Sequence, residues 1–403
     1  MSSRARSTER IPLPAGFWTL WTTVALDLVG FGIIVPLLGQ YAERYGASGL
    51  QVGLLFASFS LAQFVCAPFL GRLSDRIGRK PVILFSLFGT AVGSFVTGAA
   101  GALWVLYLGR IIDGASGASV AVAQGAVTDI SSPSERPRLL GLLGAAFGVG
   151  FVVGPALGGL ASLGGPHVPF YVAGVVALVN ALVAMKRLPE TRPHARAEAA
   201  KKRQAAAARV WSLAIAGFVA IAAFSGFEAT FSLFADRRFG LTEAGVAAVF
   251  VGIGLALVAV QVGLVRPVSA RIGPANALRV GLGLNAAGLV VLAPADTWPV
   301  LVAALALLTV GQGLVAPNLT TLVSTRVPDH QRGEALGFQQ SATAAGRVVG
   351  PVLAGILFDR VSISAPYLVG AALCGVALVV ALRDRAPRTV SLDLGPQPLR
   401  QHG

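Results

Sequence analysis

Five charged side chains fall inside long apolar runs of this chain: Asp27, Arg110, Asp113, Glu228 and Arg347. On insertion scales each costs about 2.5–3.5 kcal/mol at the centre of a bilayer, so such groups are expected to face a wet cavity and one another. Arg110 and Asp113 stand three residues apart, the spacing at which side chains on one helix pair laterally. Glu228 and Arg347 lie in the other half of the chain and are expected to pair across a cavity. Three acids then face two bases, and one negative charge is left over. A lone carboxylate in apolar surroundings takes and releases a proton, and Asp27 is the candidate, with Arg110, Asp113 and Glu228 as its partners in proton handling. A proton and a cationic ligand would compete for that acid. Blander readings stay open for each: Asp27 held by backbone or hydroxyl groups, Arg110 acting through its field alone, Glu228 as a packing partner of Arg347.

Phe224, Phe227, Phe231 and Phe234 recur at helical spacing around Glu228. Aromatic walls with one acid suit a planar, amphiphilic ligand. The rival reading is a lipid-facing stripe, expected to hold for at least two of the four. Gln124, Gln261, Gln312, Asn318 and Gln340 offer further polar contacts. The candidate ligand-contacting set is Asp27, Phe224, Phe227, Glu228, Phe231, Gln312, Gln340 and Arg347. Catalytic chemistry has no comparable support. His167, His194, His330 and His402 all lie in expected loops or tails, with no zinc-binding helix motif and no phosphate-cradling loop. No enzyme activity, metal or cofactor is expected, and the remaining power source is an ion gradient or the ligand's own gradient. Cys66 and Cys374 read as small packing residues in separate halves, not as a disulfide.

The elements that would hold these groups follow from composition. Of 403 residues, 55% are apolar and 12% charged, against about a quarter charged in soluble domains. Apolar stretches place spans near 17–40, 47–70, 81–99, 103–126, 139–162, 168–185, 211–235, 244–265, 280–294, 299–323, 335–358 and 362–382. The net charge of +14 needs no nucleic acid partner. With the first span running outward, only Arg44, Arg237, Arg238 and Arg360 fall outside and Arg110 and Arg347 within spans; the other Lys and Arg residues lie inside, as the positive-inside asymmetry requires. The partner surface is the lipid bilayer, with both ends cytoplasmic. The expected organisation is a disordered tail over 1–15, a six-helix bundle over 16–187, a cytoplasmic linker over 188–210, a second six-helix bundle over 211–384 and a disordered tail over 385–403. The stretch from Phe17 to Gln40 is too long for a cleaved signal core.

The halves repeat. Arg136, Gly141, Gly150, Gly154, Pro155 and Gly159 recur 196 residues later as Arg332, Gly337, Gly346, Gly350, Pro351 and Gly355. Arg76-Ile77-Gly78 recurs 195 later as Arg271-Ile272-Gly273. Two like bundles in parallel orientation place a ligand site at their interface and alternate access by rocking. Gly71-Arg72-Leu73-Ser74-Asp75-Arg76-Ile77-Gly78-Arg79-Lys80 reads as a tight inner hairpin loop between two charge-free runs, anchored by its four cations. Its counterpart in the second half reads as decayed, since Ala270 stands where Asp75 would be.

These segments resemble the major facilitator superfamily. Gly71, Asp75, Arg76, Gly78, Arg79 and Lys80 match its loop signature. Gly150, Gly154, Pro155, Gly158 and Gly159 resemble the fifth-span signature of its proton-coupled exporters. Leu26-Asp27-Leu28-Val29-Gly30 with Pro36, and Leu106 to Ala118 around Arg110, are similar to the first- and fourth-span signatures of the twelve-span drug/proton antiporters. Gly165 to Phe170 and Leu188-Pro189-Glu190-Thr191 look like the tetracycline-exporter branch. The resemblance implies an all-α polytopic membrane protein, twelve transmembrane helices in two pseudo-symmetric six-helix bundles. It implies that the loop is a cytoplasmic gate, with Asp75 facing the eleventh span and Arg79 paired with Asp129. It implies a monomer that exports an amphiphilic drug-like molecule against protons from a bacterial cytoplasmic membrane. Two other readings remain at this level: an exporter of an endogenous metabolite, and a non-transporting membrane sensor on the same fold.

Overall fold

In a computed structural model the described residues are 13–14, 16–132, 135–191, 203–328 and 331–383, with backbone alone at 137 and 203–209. The expected tails, apart from 13–14, and the middle of the linker lie outside them. Fourteen helices follow in order: α1 Phe17–Ile34, α2 Leu38–Glu43, α3 Gly49–Ile77, α4 Arg79–Gly98, α5 Leu103–Ser116, α6 Ser119–Ile130, α7 Arg136–Ser162, α8 Val168–Arg187, α9 Arg203–Phe239, α10 Glu243–Gly263, α11 Val265–Leu292, α12 Trp298–Thr325, α13 Arg332–Arg360 and α14 Ala365–Arg383. They make twelve segments long and apolar enough to cross a membrane, and the described residues form no strand.

The expected spans are present, with changes of boundary. The first stops at Ile34 rather than 40, because Pro36 lies in the irregular segment Val35–Leu37 before the short α2. The fourth is broken: α5 and α6 are separated at Gly117 and Ala118, with Gly117 at φ −71°, ψ 58°. The expected linker is already helical from Arg203.

The hairpin loop is the larger correction. Residues 71–77 are the last two turns of α3, and α4 begins at Arg79. The whole turn is Gly78, at φ 106°, ψ 161°, a backbone conformation open to glycine and costly for other residues. Nor has the second-half turn decayed in shape. Gly273, its counterpart, kinks α11 at φ 80°, ψ 155°. The repeat kept the bend and lost the acid.

Apolar burial shows how the two groups of six spans meet. One buried cluster takes side chains from both groups, among them Ile33, Leu38, Tyr41 and Leu55 with Phe231, Phe234, Phe250 and Tyr367. A second, from Phe17 to Leu188, belongs to the first group alone, and a third, from Val210 to Ala381, to the second group alone. The groups therefore share a core toward the face opposite Gly78 and part toward the Gly78 face. Helix α3 reports the same divergence. Its buried residues are Gly49, Val52, Gly53, Leu55 and Ala57 at one end, with Ser74 near the other, while Leu61, Phe64, Val65, Phe69 and Leu73 are exposed.

Candidate functional site

The break in the fourth span collects the charged groups of the first half. Arg110 and Asp113 sit on the last turns of α5, both buried, and the Arg110 guanidinium donates from Nη1 to Asp113 Oδ2 at 2.9 Å. The ring of Phe59 on α3 lies against the cation, 4.1 Å from guanidinium carbon to centroid. The Thr90 hydroxyl on α4 lies near the Asp113 carboxylate. Beyond the break, Ser119 opens α6 and its hydroxyl donates to Asp27 Oδ2 on α1. Gln63 on α3 donates from Nε2 to the Gly117 carbonyl at 2.7 Å, a group the interrupted helix leaves without its usual partner. Asp27 and Asp113 are near enough for their charges to act on each other. One half thus holds two acids, one base and a discontinuous helix whose start faces a carboxylate. Discontinuous helices of this kind place backbone polar groups at ligand and ion sites in transporters.

Phe59, Gln63, Thr90 and Ser119 were not singled out from the sequence. They come from three different spans, and single hydroxyl, amide or aromatic residues inside apolar runs carry little signal. Only the Gly117 neighbourhood offered a hint, since Gly114, Gly117 and Ser116 weaken a helix at that point.

In the second half Glu228 is buried on α9, and Arg347 on α13 is exposed. Their charges act on each other, but no ion pair joins them among the described residues. The phenylalanines of α9 do not form a lipid-facing stripe. Phe227, Phe231 and Phe234 are buried at 4%, 0% and 0% exposure, and Phe224 is partly buried against the same core. They stack along the helix with centroid separations of 6.0, 5.1 and 6.5 Å, and Tyr367 and Phe250 close over them. Phe231 and Phe234 therefore belong to the shared core that closes one face. Phe224 and Phe227 line a gap of about 10 Å³ with Asn285 and Cys374, room for about one water. Gln312 accepts from Asn285 at 3.3 Å, Asn318 accepts from Ser269 at 2.8 Å, and Gln340, Gln124 and Gln261 are exposed. Cys66 and Cys374 are free thiols.

Around Gly78, Arg79 is buried and bonds three partners: Ser74 at 2.7 Å, Asp75 at 2.7 Å and Asp129 at the end of α6 at 2.9 Å. Asp75 thus faces Arg79 in this structure, not α13. Glu190, just past α8, accepts from the Arg79 backbone N–H at 2.7 Å and so caps α4. A Cβ on Gly78 would sit 2.6 Å from the Glu190 carboxyl carbon, which is why the turn is bare.

The glycines of α7 mark two contact surfaces. A Cβ at Gly150 would meet Leu28 at 2.7 Å, at Gly154 the Gly32 backbone at 2.6 Å, and at Gly158 the Ile33 carbonyl at 2.9 Å, so these three seat α1. One at Gly159 would meet Ala247 of α10 at 2.9 Å, in the other group. Pro155 lies inside the same helix. Small residues let membrane helices approach this closely.

At the face opposite Gly78, polar bonds join the two groups. Gln40 donates to the Leu241 carbonyl at 2.8 Å, Arg44 pairs with Glu243 at 2.9 Å and Arg237 with Glu43 at 3.1 Å. The Asp359 carboxylate accepts from the backbone N–H groups of Gly49 and Leu50.

Comparison with known proteins agrees with the twelve-span fold. The family model of the Major Facilitator Superfamily matches residues 20–295 and 213–401. The class B tetracycline resistance protein of Escherichia coli is 32% identical over 348 residues, 83% of this chain and 86% of that protein. Multidrug resistance protein 1 of Bacillus subtilis (strain 168) is 26% identical over 374 residues, 91% of this chain and 96% of that protein. Among solved structures, the human organic anion transporter MFSD10 (TETRAN) superposes with a TM-score of 0.70 at 26% identity, covering 91% of this chain and 98% of that one.

Proposed function

The chain belongs to the major facilitator superfamily, as a multi-pass transporter of twelve spans rather than an enzyme, and from that premise we propose that it exports amphiphilic drug-like molecules in exchange for protons. The polar cluster at the broken fourth span supports it: inside an apolar bundle Asp113 is paired with Arg110, while Asp27 is held by the Ser119 hydroxyl and lies within reach of the Asp113 charge. Two acids with one base leave a carboxylate free to exchange its proton for a cationic or polar part of a ligand. The likeness to tetracycline and multidrug resistance proteins supports the ligand class.

The basic turn at Gly78 marks the cytoplasmic face, so both chain ends lie inside a bacterial cytoplasmic membrane. The conformation is then open to the cytoplasm and closed outside. The bundles 16–187 and 211–384 rock as a monomer about their shared core, and the Asp75/Arg79 turn engages α13 when the cytoplasmic side closes. Ligand contacts come from Asp27, Phe224, Phe227, Glu228, Gln312, Gln340 and Arg347, with Phe231 behind them. Drug-induced proton release from purified protein tests the reading. Wild type is expected to release protons when a tetracycline is added, and Asp27→Asn to release none. A mutant that still couples fully would move the proton site away from Asp27.

A further inference from the structure

Helices α3 and α13 run antiparallel along the interface between the two groups, with the N-terminal end of α3 beside the C-terminal end of α13. The two helices touch closely near the closed face, where a Cβ on Gly355 would fall 2.8 Å from Leu50 Cα. There Asp359, the penultimate residue of α13, places its two carboxylate oxygens on the first two backbone N–H groups of α3. Oδ1 accepts from Gly49 at 2.8 Å and Oδ2 from Leu50 at 2.7 Å. Those N–H groups have no partner within their own helix, and Ser48 already serves the N–H of Gln51 in a capping box. The carboxylate therefore completes the cap of α3 from the other half of the molecule. A negative charge at a helix start also gains from the helix dipole. Asp359 itself is exposed, and the residue before it, Phe358, is buried under the Arg237 guanidinium at 4.6 Å, with Arg237 in turn bonding Glu43.

We propose that Asp359 is the latch that holds this face of the transporter shut, acting on the start of α3 across the interface. Asp75 is its mirror at the other end of the same helix pair. It stands near the C-terminal end of α3, three residues before Gly78, and here its carboxylate is turned to Arg79 of its own half. The closed face has its acid engaged across the interface and the open face does not. The Asp359 contact sets the state in which the protein rests, whatever ligand is carried and whatever drives it.

Distances between spin labels, measured without substrate or pH gradient, test it. In a chain with Cys66 and Cys374 replaced by alanine, one pair of labels at Gly101 and Asp296 reports the closed face. A second pair at Lys186 and Gly333 reports the Gly78 face; all four positions are exposed. Asp359→Asn is expected to lower the ratio of closed to open populations at the first pair by about threefold to tenfold, with the second pair shortening in step. Leu50→Pro removes one donor at a helix position where proline is tolerated and leaves the carboxylate intact. It is expected to move both distances the same way, whereas Asp359→Glu keeps most of the closed state. Unchanged distributions in a monodisperse Asp359→Asn protein overturn the proposal. If that variant aggregates, an unchanged Leu50→Pro protein overturns it equally. Loss of proton release in Asp27→Asn bears on the export reading and leaves these distances unaffected, so the two can fail separately.

Discussion

Arg110 keeps its charge inside the bundle because its neighbours divide the task of replacing water. Asp113 takes one N–H, the Phe59 ring covers the guanidinium plane, and Nε is left buried without a partner. A lysine has neither the planar face nor the fork, so Arg110→Lys is expected to cost about 1–2 kcal/mol of stability. Arg110→Gln leaves Asp113 uncompensated and is expected to cost more, about 3–5 kcal/mol, with Asp113→Asn in the same chain recovering part of it. Thermal unfolding in detergent ranks the three. Glu43, at the closed face, gives a pH dependence. Burial pushes its carboxyl above the ordinary 4.5, and Arg237 pulls it back only in part. The folded protein therefore holds that proton more tightly than the unfolded chain. Its contribution is full below about 4.5 and is lost as the pH rises through the elevated native value. Glu43→Gln is expected to flatten the fall in melting temperature over that window; parallel curves for the two proteins would show that Glu43 does not titrate there. The sequence made Asp27, Arg110 and Asp113 legible because a charge inside an apolar run has few innocent explanations. It left Phe59, Gln63, Thr90 and Ser119 silent, because each is ordinary in its own span and gains meaning only when three spans meet. Glu228 and Arg347 act on each other without an ion pair among the described residues, because complementary charge does not fix the distance between two helices.

Helix boundaries carried less information in the sequence than helix existence. Long apolar runs located the twelve spans, but the ends were set by single residues. The cationic stretch after Gly71 reads as loop by composition, yet arginines and a serine continue α3 without penalty until Gly78, the one residue there able to reach φ 106°. Gly273 turns the chain the same way in the second half without the acid that accompanies Gly78. The two glycines differ in what surrounds them. A side chain at Gly78 meets the Glu190 carboxylate that caps α4, whereas nothing lies within 4 Å of a Cβ at Gly273. Gly273→Ala is expected to cost only the backbone strain, about 1–2 kcal/mol. Gly78→Ala adds displacement of the cap, about 1 kcal/mol more. Equal losses of melting temperature for the two would mean that Glu190 does not hold the start of α4. The break at Gly117 was invisible to hydropathy, since α5 and α6 are both apolar and only the carbonyl that Gln63 takes up marks the interruption.

At the scale of the molecule, the shared core and the interface bonds gather toward one face, and the proposed rocking exchange of access requires that face to come apart. Gly39 on α2 and Ser232 on α9 lie across it. A Cβ at Gly39 would stand 3.6 Å from Ser232 Cβ, within the separation a disulfide spans. Gly39→Cys with Ser232→Cys is therefore expected to form a bridge under oxidation with little movement of the backbone. The two halves would then be tied at the closed end while the Gly78 face stays free. With tetracycline as the ligand of the proposed export, uptake into inverted membrane vesicles is expected to stop in the oxidised double variant, to return on reduction, and to stay intact in each single variant under the same treatment. The native thiols do not confuse the result, because Cys66 and Cys374 stand on α3 and α14 as free cysteines and are present in every arm. An oxidised, fully bridged protein that still transports at the wild-type rate would show that ligand crosses without this face opening, and a rocking exchange of access between the halves would then be excluded. The pattern of burial argues for the other outcome: a core common to both halves at one end, and a separate core for each at the other, is the packing that the proposed rocking of two bodies needs.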